Sequence, residues 1–244
     1  MIIDNFINTK IDAALIAANA EHDATHEPSG KLSASMLYMP VRFQIFKAIG
    51  VPKKPIEPYV LGKFKRGNDV EDWYVGQLGA AGVLLERQKK IEYRDVIGYI
   101  DAVCNSDLMF FKQGVMPHEV KSVTNAKLKR IATAGVDYHY QMQACLYALA
   151  LGSKYYAVDI VSAEDLRPNV YICETASMAG DVDQAIDNYN TALKNWKENK
   201  NLPPFAANPK VPWTATPEYW PYEEWWGTAT DEQVVEKLQT LGLL

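Results

Sequence analysis

Two acidic residues and one lysine stand on two short, β-rich segments near the middle of the chain. Asp101 lies in the segment GYIDAVC, and Glu119 and Lys121 lie two residues apart in HEVKSV. Alternate side chains of a strand point to the same face, so Glu119 and Lys121 must share one surface. Asp101 is an acid within an otherwise core-like strand, where an unpaired carboxylate is costly. This carboxylate therefore needs a cation nearby.

These residue types suit phosphodiester hydrolysis if the two strands are neighbours. Asp101 and Glu119 would then offer hard oxygen ligands to Mg²⁺, which keeps several waters and accepts a substrate phosphate oxygen. A metal-bound water has a lowered pKa and attacks phosphorus, while the ion and Lys121 neutralise the charge that develops on the phosphoryl oxygens. Lys121 would orient the water, deprotonate it or hold the phosphate. The alternative is a structural ion pair between Glu119 and Lys121 on an exposed strand.

A longer pattern surrounds these three residues. In the RecB-like branch of the PD-(D/E)XK nuclease superfamily, an acidic helix residue is followed by GxxD, then ExK, then QxxxY. The chain resembles this branch over about residues 31–175, a stretch that opens with LSASML. The matching residues are Glu71 in RGNDVE, Asp101 in GYID, Glu119-Val120-Lys121, and Gln143 and Tyr147 in QACLY. All four elements in the correct order form a specific signal, whereas ExK alone occurs widely by chance.

The resemblance implies a metal site and a catalytic lysine. Asp101, Glu119 and the carbonyl of Val120 would bind the metal, and Glu71 would bind it directly or through water. Lys121 would act in catalysis. The expected cofactor is Mg²⁺, with Mn²⁺ as a substitute.

The same resemblance gives a role to one face of the helix that carries the QxxxY motif. Gln143 and Tyr147 are one helical turn apart and share a face, where the resemblance implies that they orient the lysine or the DNA backbone. His139 lies one turn earlier and is a candidate phosphate contact. Packing of an amphipathic helix on the sheet is the alternative interpretation of His139.

The order of elements predicts an α/β fold. A helix, three strands, a helix and two strands follow one another along the chain, which favours a restriction-endonuclease-like mixed β-sheet of about five strands flanked by helices. We expect one nuclease domain over 1–244, with a catalytic core over about 67–175. The other predicted parts are a helical basic segment over 31–66, a proline-rich connector over 51–58, a short helix over 67–82, and a C-terminal helix with an aromatic-proline tail over 181–244.

Charge is distributed unevenly over a chain with a net charge of -5. Residues 31–66 hold eight basic residues and one acidic residue, a balance of +7, while residues 155–244 hold six basic and fourteen acidic ones, a balance of -8. Local charge decides phosphate binding, so the basic segment is the expected DNA surface. A solvated lysine-rich surface is the alternative, with DNA then following Lys127, Lys129 and Arg130. The candidate DNA contacts in the segment are Arg42, Lys53, Lys54, Lys63, Lys65 and Arg66.

The C-terminal tail combines seven aromatic residues with five prolines over residues 204–227. Such a segment cannot form a regular helix or a central strand. We expect it to lie across the domain as a clamp, and a base-stacking platform is the alternative. Some relatives carry an iron–sulfur cluster on four cysteines. This chain has three widely separated cysteines and no CxxC pair, so no such cluster is expected.

These features together predict a Mg²⁺-dependent deoxyribonuclease. An exonuclease is favoured over an endonuclease because no separate target-recognition domain is visible, and DNA processing, recombination or phage replication are the expected settings. Without a phosphate-binding loop of its own, the chain would use a helicase or recombination partner. The alternative is a non-catalytic DNA-end binding or scaffolding subunit. No apolar run reaches the roughly 20 residues of a membrane span and no signal peptide is recognised, so a cytoplasmic location is expected, in a bacterium or in the host of a phage.

Overall fold

The computed structural model describes residues 5–25, 30–108 and 114–244 of the chain. Within these ranges the strands are β1 (Leu32–Ser33), β2 (Leu84–Tyr93), β3 (Val96–Asn105), β4 (Val115–Val123), β5 (Tyr155–Ser162) and β6 (Pro168–Glu174). The helices are α1 (Asn5–Thr25), α2 (Val41–Ala48), α3 (Pro58–Ala80), α4 (Asn125–Ala134), α5 (Tyr138–Leu151), α6 (Ala179–Asn199), α7 (Glu224–Thr228) and α8 (Asp231–Thr240). None of these helices is long and apolar enough to cross a membrane.

The strands of the described residues form one mixed sheet of six strands. β2 and β3 form an antiparallel hairpin, β4 runs parallel to β5, and β6 is antiparallel to β5. The predicted mixed sheet of about five strands flanked by helices is therefore confirmed, and the additional strand is the two-residue β1.

Alternating strand residues place helices on both faces of the sheet. Ala102 and Cys104 of β3 pack against Val70 and Tyr74 of α3, whereas Val103 between them joins the larger core that contains α5. Period-two alternation thus divides the apolar residues of one strand between two helices. The sheet is covered by α3 on one face and by α5 on the other.

Helix α3 is much longer than the sequence pattern predicts. A short helix over 67–82 was expected after the proline-rich connector, but the helix begins at Pro58 and runs to Ala80. Pro58 occupies the first turn, where its missing N–H costs no hydrogen bond and its fixed φ suits the helix. The prediction was wrong because prolines over 51–58 were all assigned to an extended segment. The additional turns carry Lys63, Lys65 and Arg66 on a helix.

Arg42 is buried and holds the C-terminal tail to α2. Its guanidinium donates hydrogen bonds to the carbonyls of Trp226, Pro203 and Ala229, and it lies 3.9 Å from a carboxylate oxygen of Asp231. The side chain is 4% exposed. The expected DNA contact at Arg42 is therefore corrected to a structural role, because every face of the guanidinium is turned into the protein.

The aromatic-proline tail packs onto the main core, as the clamp interpretation predicts. The rings of Trp220 and Tyr222 contact Phe43 at centroid distances of 5.1 and 5.5 Å, and Trp226 contacts Phe46 at 5.3 Å. All three tail rings are buried. Tyr219 is different, since 58% of it is exposed.

Replacing Arg42 by lysine is expected to destabilise the fold. Lysine keeps the charge but lacks the planar fork that reaches three carbonyls, so the unfolding free energy should fall by about 2 kcal/mol. Urea denaturation measures this change. Arg66→Lys, at an exposed position on α3, is the matched control and should change stability by less than about 0.5 kcal/mol. Equal effects at the two positions would contradict the clamp assigned to Arg42.

Candidate active site

One edge of β3 has different partners at its two ends. Its first residues pair with β1, with Val96 opposite Leu32, and its last four pair with β4, with Ala102 opposite His118. The β3–β4 ladder ends there, although β4 runs on to Val123 beside β5. We call this point, where β3 and β4 stop pairing, the fork.

Asp101 lies directly at the fork. The Val120 N–H donates a hydrogen bond of 2.8 Å to Oδ2 of Asp101, so a side chain of β3 takes a main-chain donor of β4. Sequence reasoning placed Asp101 and Glu119 together only if their strands were adjacent. The fork brings them together, and it also places Val120 beside Asp101.

Glu119 is completely buried, with 0% of its surface exposed. Its carboxylate forms an ion pair with the ammonium of Lys121, in keeping with their shared face. Beyond this ion pair, no described residue donates a hydrogen bond to either carboxylate oxygen of Glu119. A buried carboxylate in this state is costly and offers free lone pairs for a cation.

Three carboxylates repel one another at this site. Burial, followed by the charge of Glu119, raises the pKa of Asp101 to about 8. Burial, followed by the charge of Asp101, raises the pKa of Glu71 on α3 to about 7. Burial also raises the pKa of Glu119, and the charge of Glu71 adds to this. Each carboxylate thus disfavours ionisation of its neighbours, which is the condition that a bound cation relieves.

Lys121 remains charged in this environment. Although burial opposes its charged form, Glu119 and then Asp101 raise the pKa of Lys121 above its ordinary value. Its Nζ lies 5.6 Å from the centre of the Tyr140 ring, so the ammonium is between the carboxylates and an aromatic face. Lys121 is therefore a fixed positive charge and not a neutral base in the metal-free protein.

Gln143 and Tyr147 share a face of α5, as predicted. The Gln143 side-chain amide donates a hydrogen bond of 2.9 Å to the Tyr147 hydroxyl. The Tyr147 ring lies so close to Gly98 that a Cβ at position 98 would be 2.6 Å from Cε1 of the ring. The glycine of GYID therefore has a physical reason: it lets α5 approach the strand that carries Asp101.

Two residues of β2 that sequence reasoning missed orient Glu71. The Gln88 amide donates a hydrogen bond of 2.7 Å to Oε1 of Glu71, and Arg87 lies 3.9 Å from the same oxygen. Gln88 has a positive φ of 49°, which is uncommon for a residue other than glycine. Polar residues on an exposed hairpin gave no signal of this contact. Glu71 is thus held toward Asp101 from β2.

One open cleft is lined by residues of α3, β2, β3 and α5. No described residue of the ExK strand, β4, lines it. Its volume is about 550 Å³, and we call it the active-site cleft. Glu71, Asp101, Gln143 and Tyr147 contribute to its wall, together with Ser33 and Ser35 from the segment before α2. The LSASML stretch therefore belongs to the site.

A buried ion pair supports the ExK strand from the opposite face. His118 Nδ1 lies 2.8 Å from Oδ2 of Asp159 on β5, and both side chains are buried. Although burial opposes protonation, Asp159 raises the pKa of His118 to about 10. This pair joins β4 to β5 immediately before Glu119 and restricts movement of that strand.

The carboxylates at the fork fit a hard divalent cation, although side chains alone do not complete its coordination. Among the described residues, no group of three or more histidine, cysteine, aspartate or glutamate side chains is close enough to form a complete ligand cage. Mg²⁺ does not require one, because it is usually held by one or two carboxylates, water and substrate phosphate. Asp101 and Glu119 supply such a pair, and the buried oxygens of Glu119 accept no hydrogen bond from the described residues beyond the ion pair with Lys121. Glu71 and the Val120 carbonyl remain predicted ligands.

Comparison with known proteins gives a distant structural match. No family model and no curated protein matches the sequence. An alkaline exonuclease from Laribacter hongkongensis is similar in structure, with a TM-score of 0.53, 12% sequence identity, and coverage of 75% of this chain and 92% of that chain. The chain therefore shares the fold of this alkaline exonuclease. The same exonuclease in complex with dAMP matches with a TM-score of 0.52 and 11% identity, covering 68% of this chain and 89% of that one.

Several cations of the basic segment are used inside this nuclease fold. Lys54 donates a hydrogen bond of 2.8 Å to the carbonyl of Glu218 in the tail. Lys47 donates to Oγ of Ser33 across 2.6 Å, and burial lowers its pKa to about 8. Lys65 forms an ion pair with Asp69. The DNA surface expected over 31–66 is thus smaller than the charge count suggests, with Lys53, Lys63 and Arg66 exposed.

His139 lies on the same stripe of α5 as Gln143, one turn earlier, as predicted. Burial lowers the pKa of His139 to about 4, so its imidazole is neutral near pH 7. A phosphate contact at His139 stays a prediction, and it would use a neutral N–H donor.

Replacing Gly98 by alanine is expected to disable the site without removing any polar group. The added methyl group meets the buried Tyr147 ring and also the side chain of Ala34 at 3.0 Å, so α5 or β3 must shift. Nuclease activity should fall by at least about tenfold, since small displacements of catalytic groups are costly. Gly76→Ala on α3, where no atom lies within 4 Å of the added methyl group, is the control. Unchanged activity in Gly98→Ala would contradict the tight approach.

Proposed function

We propose that this chain is a divalent-metal-dependent deoxyribonuclease that uses Mg²⁺, with Mn²⁺ as a substitute. The observation that carries the proposal is the buried Glu119 carboxylate, which lies beside Asp101 and, apart from its ion pair with Lys121, accepts no hydrogen bond from the described residues. A purely structural ion pair has no need for a second carboxylate next to it. The nuclease fold supports the same reading, since its structural neighbour is an exonuclease.

The chain's own groups account for the steps around the metal. Asp101 and Glu119 would hold the ion, whose bound water would supply the nucleophile at neutral pH. Lys121 would place its permanent charge against a phosphoryl oxygen and stabilise the charge that develops there. Gln88 and Arg87 keep Glu71 directed toward Asp101. The Gln143–Tyr147 pair forms the wall along which the DNA backbone would lie.

Within this proposal we favour an exonuclease of DNA processing, recombination or phage replication, acting in the cytoplasm with a helicase or recombination partner. The exonuclease preference rests on the match to an alkaline exonuclease that covers most of both chains. End-labelled and internally labelled DNA, incubated with Mg²⁺, Mn²⁺ or EDTA, tests the whole proposal. Cleavage with either ion and none with EDTA is expected. Tight DNA binding without cleavage under all conditions would instead support the non-catalytic end-binding subunit.

Glu119→Gln and Asp101→Asn are each expected to abolish cleavage while leaving the fold intact. Both changes keep side-chain volume and remove a ligand charge, so cleavage should fall at least about 100-fold. The metal-free variants should be as stable as the parent or more stable, because carboxylate repulsion is relieved. Glu86→Gln, which removes an exposed carboxylate of β2, is the control. Full activity in either purified site variant would refute the assignment.

Lys121→Met is expected to lose turnover without losing metal binding. The ammonium would act on the phosphate or the water, so kcat should fall by about 100- to 1,000-fold. Mn²⁺ affinity, measured by calorimetry, should change far less than it does in Glu119→Gln. A parallel loss of metal affinity in the two variants would show that Lys121 supports the metal site and has no separate part in catalysis.

A further inference from the structure

A second cleft of about 790 Å³ lies between α3, the start of α5 and the tail. We call it the aromatic cleft, because rings from four separate parts of the chain line it. These rings are Tyr38, Phe64, Tyr138, His139, Trp213 and Tyr219.

Several of the rings form a connected surface. Tyr38 lies 5.1 Å from His139 and 5.5 Å from Trp213, and Trp213 lies 6.3 Å from Tyr219, between centroids. At the rim, Tyr219 is 58% exposed and Phe64 is 54% exposed. Neither rim ring is needed to complete the core, in contrast to the buried tail rings Trp220 and Tyr222. Exposed aromatic surface of this extent is typical of binding sites.

The charge of the aromatic cleft suits a polyanion. Lys127, Arg130 and Lys210 line it against Asp137, and Lys210 also forms an ion pair with Asp181, so these five residues have a balance of +1 in a chain whose net charge is -5. Lys127 and Arg130 both contact Asp137, which fixes their positions within the wall. Cations interleaved with exposed rings are the combination that binds a nucleic-acid strand through both backbone and bases.

The aromatic cleft continues the active-site cleft. On α3, Phe64 lines the aromatic cleft while Asn68 and Glu71, one and two turns further along the same stripe, line the active-site cleft. On α5, His139 lines the aromatic cleft and Gln143 lines the active-site cleft.

The segment before α2 follows the same order. Tyr38 lines the aromatic cleft, whereas Ser33 and Ser35 line the active-site cleft. Three independent elements therefore run from one cleft to the other, and together they define one track across the fork.

Tyr140 lies between Lys121 and Lys127, a residue in the wall of the aromatic cleft. The Nζ of Lys121 lies 5.6 Å from the centre of its ring, and the Nζ of Lys127, in the wall of the aromatic cleft, lies 4.8 Å from the same centre. A phosphate at Lys121 and a phosphate at Lys127 would thus both lie beside the ring of one tyrosine.

From this geometry we infer that the aromatic cleft binds unpaired bases of single-stranded DNA, and that the backbone of the same strand passes Lys127 and Tyr140 to reach Lys121. The inference rests on the proposed nuclease function and names its substrate as a single strand. Bases in a duplex are already stacked and present no free face to Tyr219 or Phe64, whereas every unpaired base presents one.

Binding of a fluorescently labelled oligothymidylate of about 12 nucleotides, measured by anisotropy in EDTA, tests the inference. Tyr219→Ala and Phe64→Ala should each weaken binding about tenfold, with the salt dependence unchanged because no phosphate contact is lost. Tyr219→Trp should bind as the parent does. Tyr59→Ala is the matched control: Tyr59 is 60% exposed on α3 and lines neither cleft.

Binding of an abasic sugar-phosphate oligomer distinguishes base stacking from phosphate contacts. The parent should bind it more weakly than oligothymidylate, and Tyr219→Ala should bind it as the parent does, because the ring has no base to contact. Tyr219→Leu keeps apolar packing at this position if the alanine variant is less stable. Parent-like oligothymidylate binding by Tyr219→Ala and Phe64→Ala, equal loss in Tyr59→Ala, or equal affinity for a duplex of the same length would overturn the inference. Absence of cleavage with Mg²⁺ or Mn²⁺ would refute the nuclease function but leave this binding result standing.

Discussion

The burial of carboxylates at the fork is the constraint on which the rest of the site depends. Glu119 is withdrawn from solvent with Lys121 as its ion-pair partner, and burial, followed by the charges of Glu71 and Asp159, opposes its ionisation. Such an arrangement is tolerated only where the surroundings hold the groups in place, because a buried ion pair gains little unless its geometry is fixed. The end of the β3–β4 ladder provides that geometry. Asp101 accepts the Val120 N–H, so the strand that loses a main-chain pairing gains a carboxylate anchor.

Both faces of the sheet take part in holding this unfavourable charge. On the α3 face, the His118–Asp159 pair joins β4 to β5 one residue before Glu119. On the α5 face, the contact between Tyr147 and Gly98 fixes the distance between α5 and β3. Neither contact includes a proposed metal ligand, yet each restrains a strand that carries one. A rigid support on both sides is what allows mutually repelling carboxylates to stay within reach of one cation.

The sequence predicted the parts of this structure that depend on local periodicity and on the ordered motif. Period-two alternation identified β3 and β4 and the shared face of Glu119 and Lys121, and helical spacing identified the shared face of Gln143 and Tyr147. Contacts between distant segments could not be predicted in this way. Arg42 was interpreted as a DNA contact because its partners, the carbonyls of Pro203, Trp226 and Ala229, lie more than 160 residues away along the chain. Gln88 was missed because an exposed polar hairpin gives no periodic signal of its contact with Glu71.

The basic and aromatic residues are therefore divided between structural and binding roles in a way that composition does not reveal. Arg42, Lys47 and Lys54 of the basic segment are used to hold other parts of the fold, which leaves fewer cations for phosphate than a balance of +7 implies. An acidic protein with few free cations binds a strand poorly by charge alone, because affinity from phosphate contacts scales with the number of neutralised charges. Stacking on rings supplies affinity that does not depend on net charge. The two interpretations of the tail are compatible for this reason: Trp220, Tyr222 and Trp226 fill the core as a clamp, and the clamp in turn holds Tyr219 at the rim of the aromatic cleft, where the proposed strand would pass.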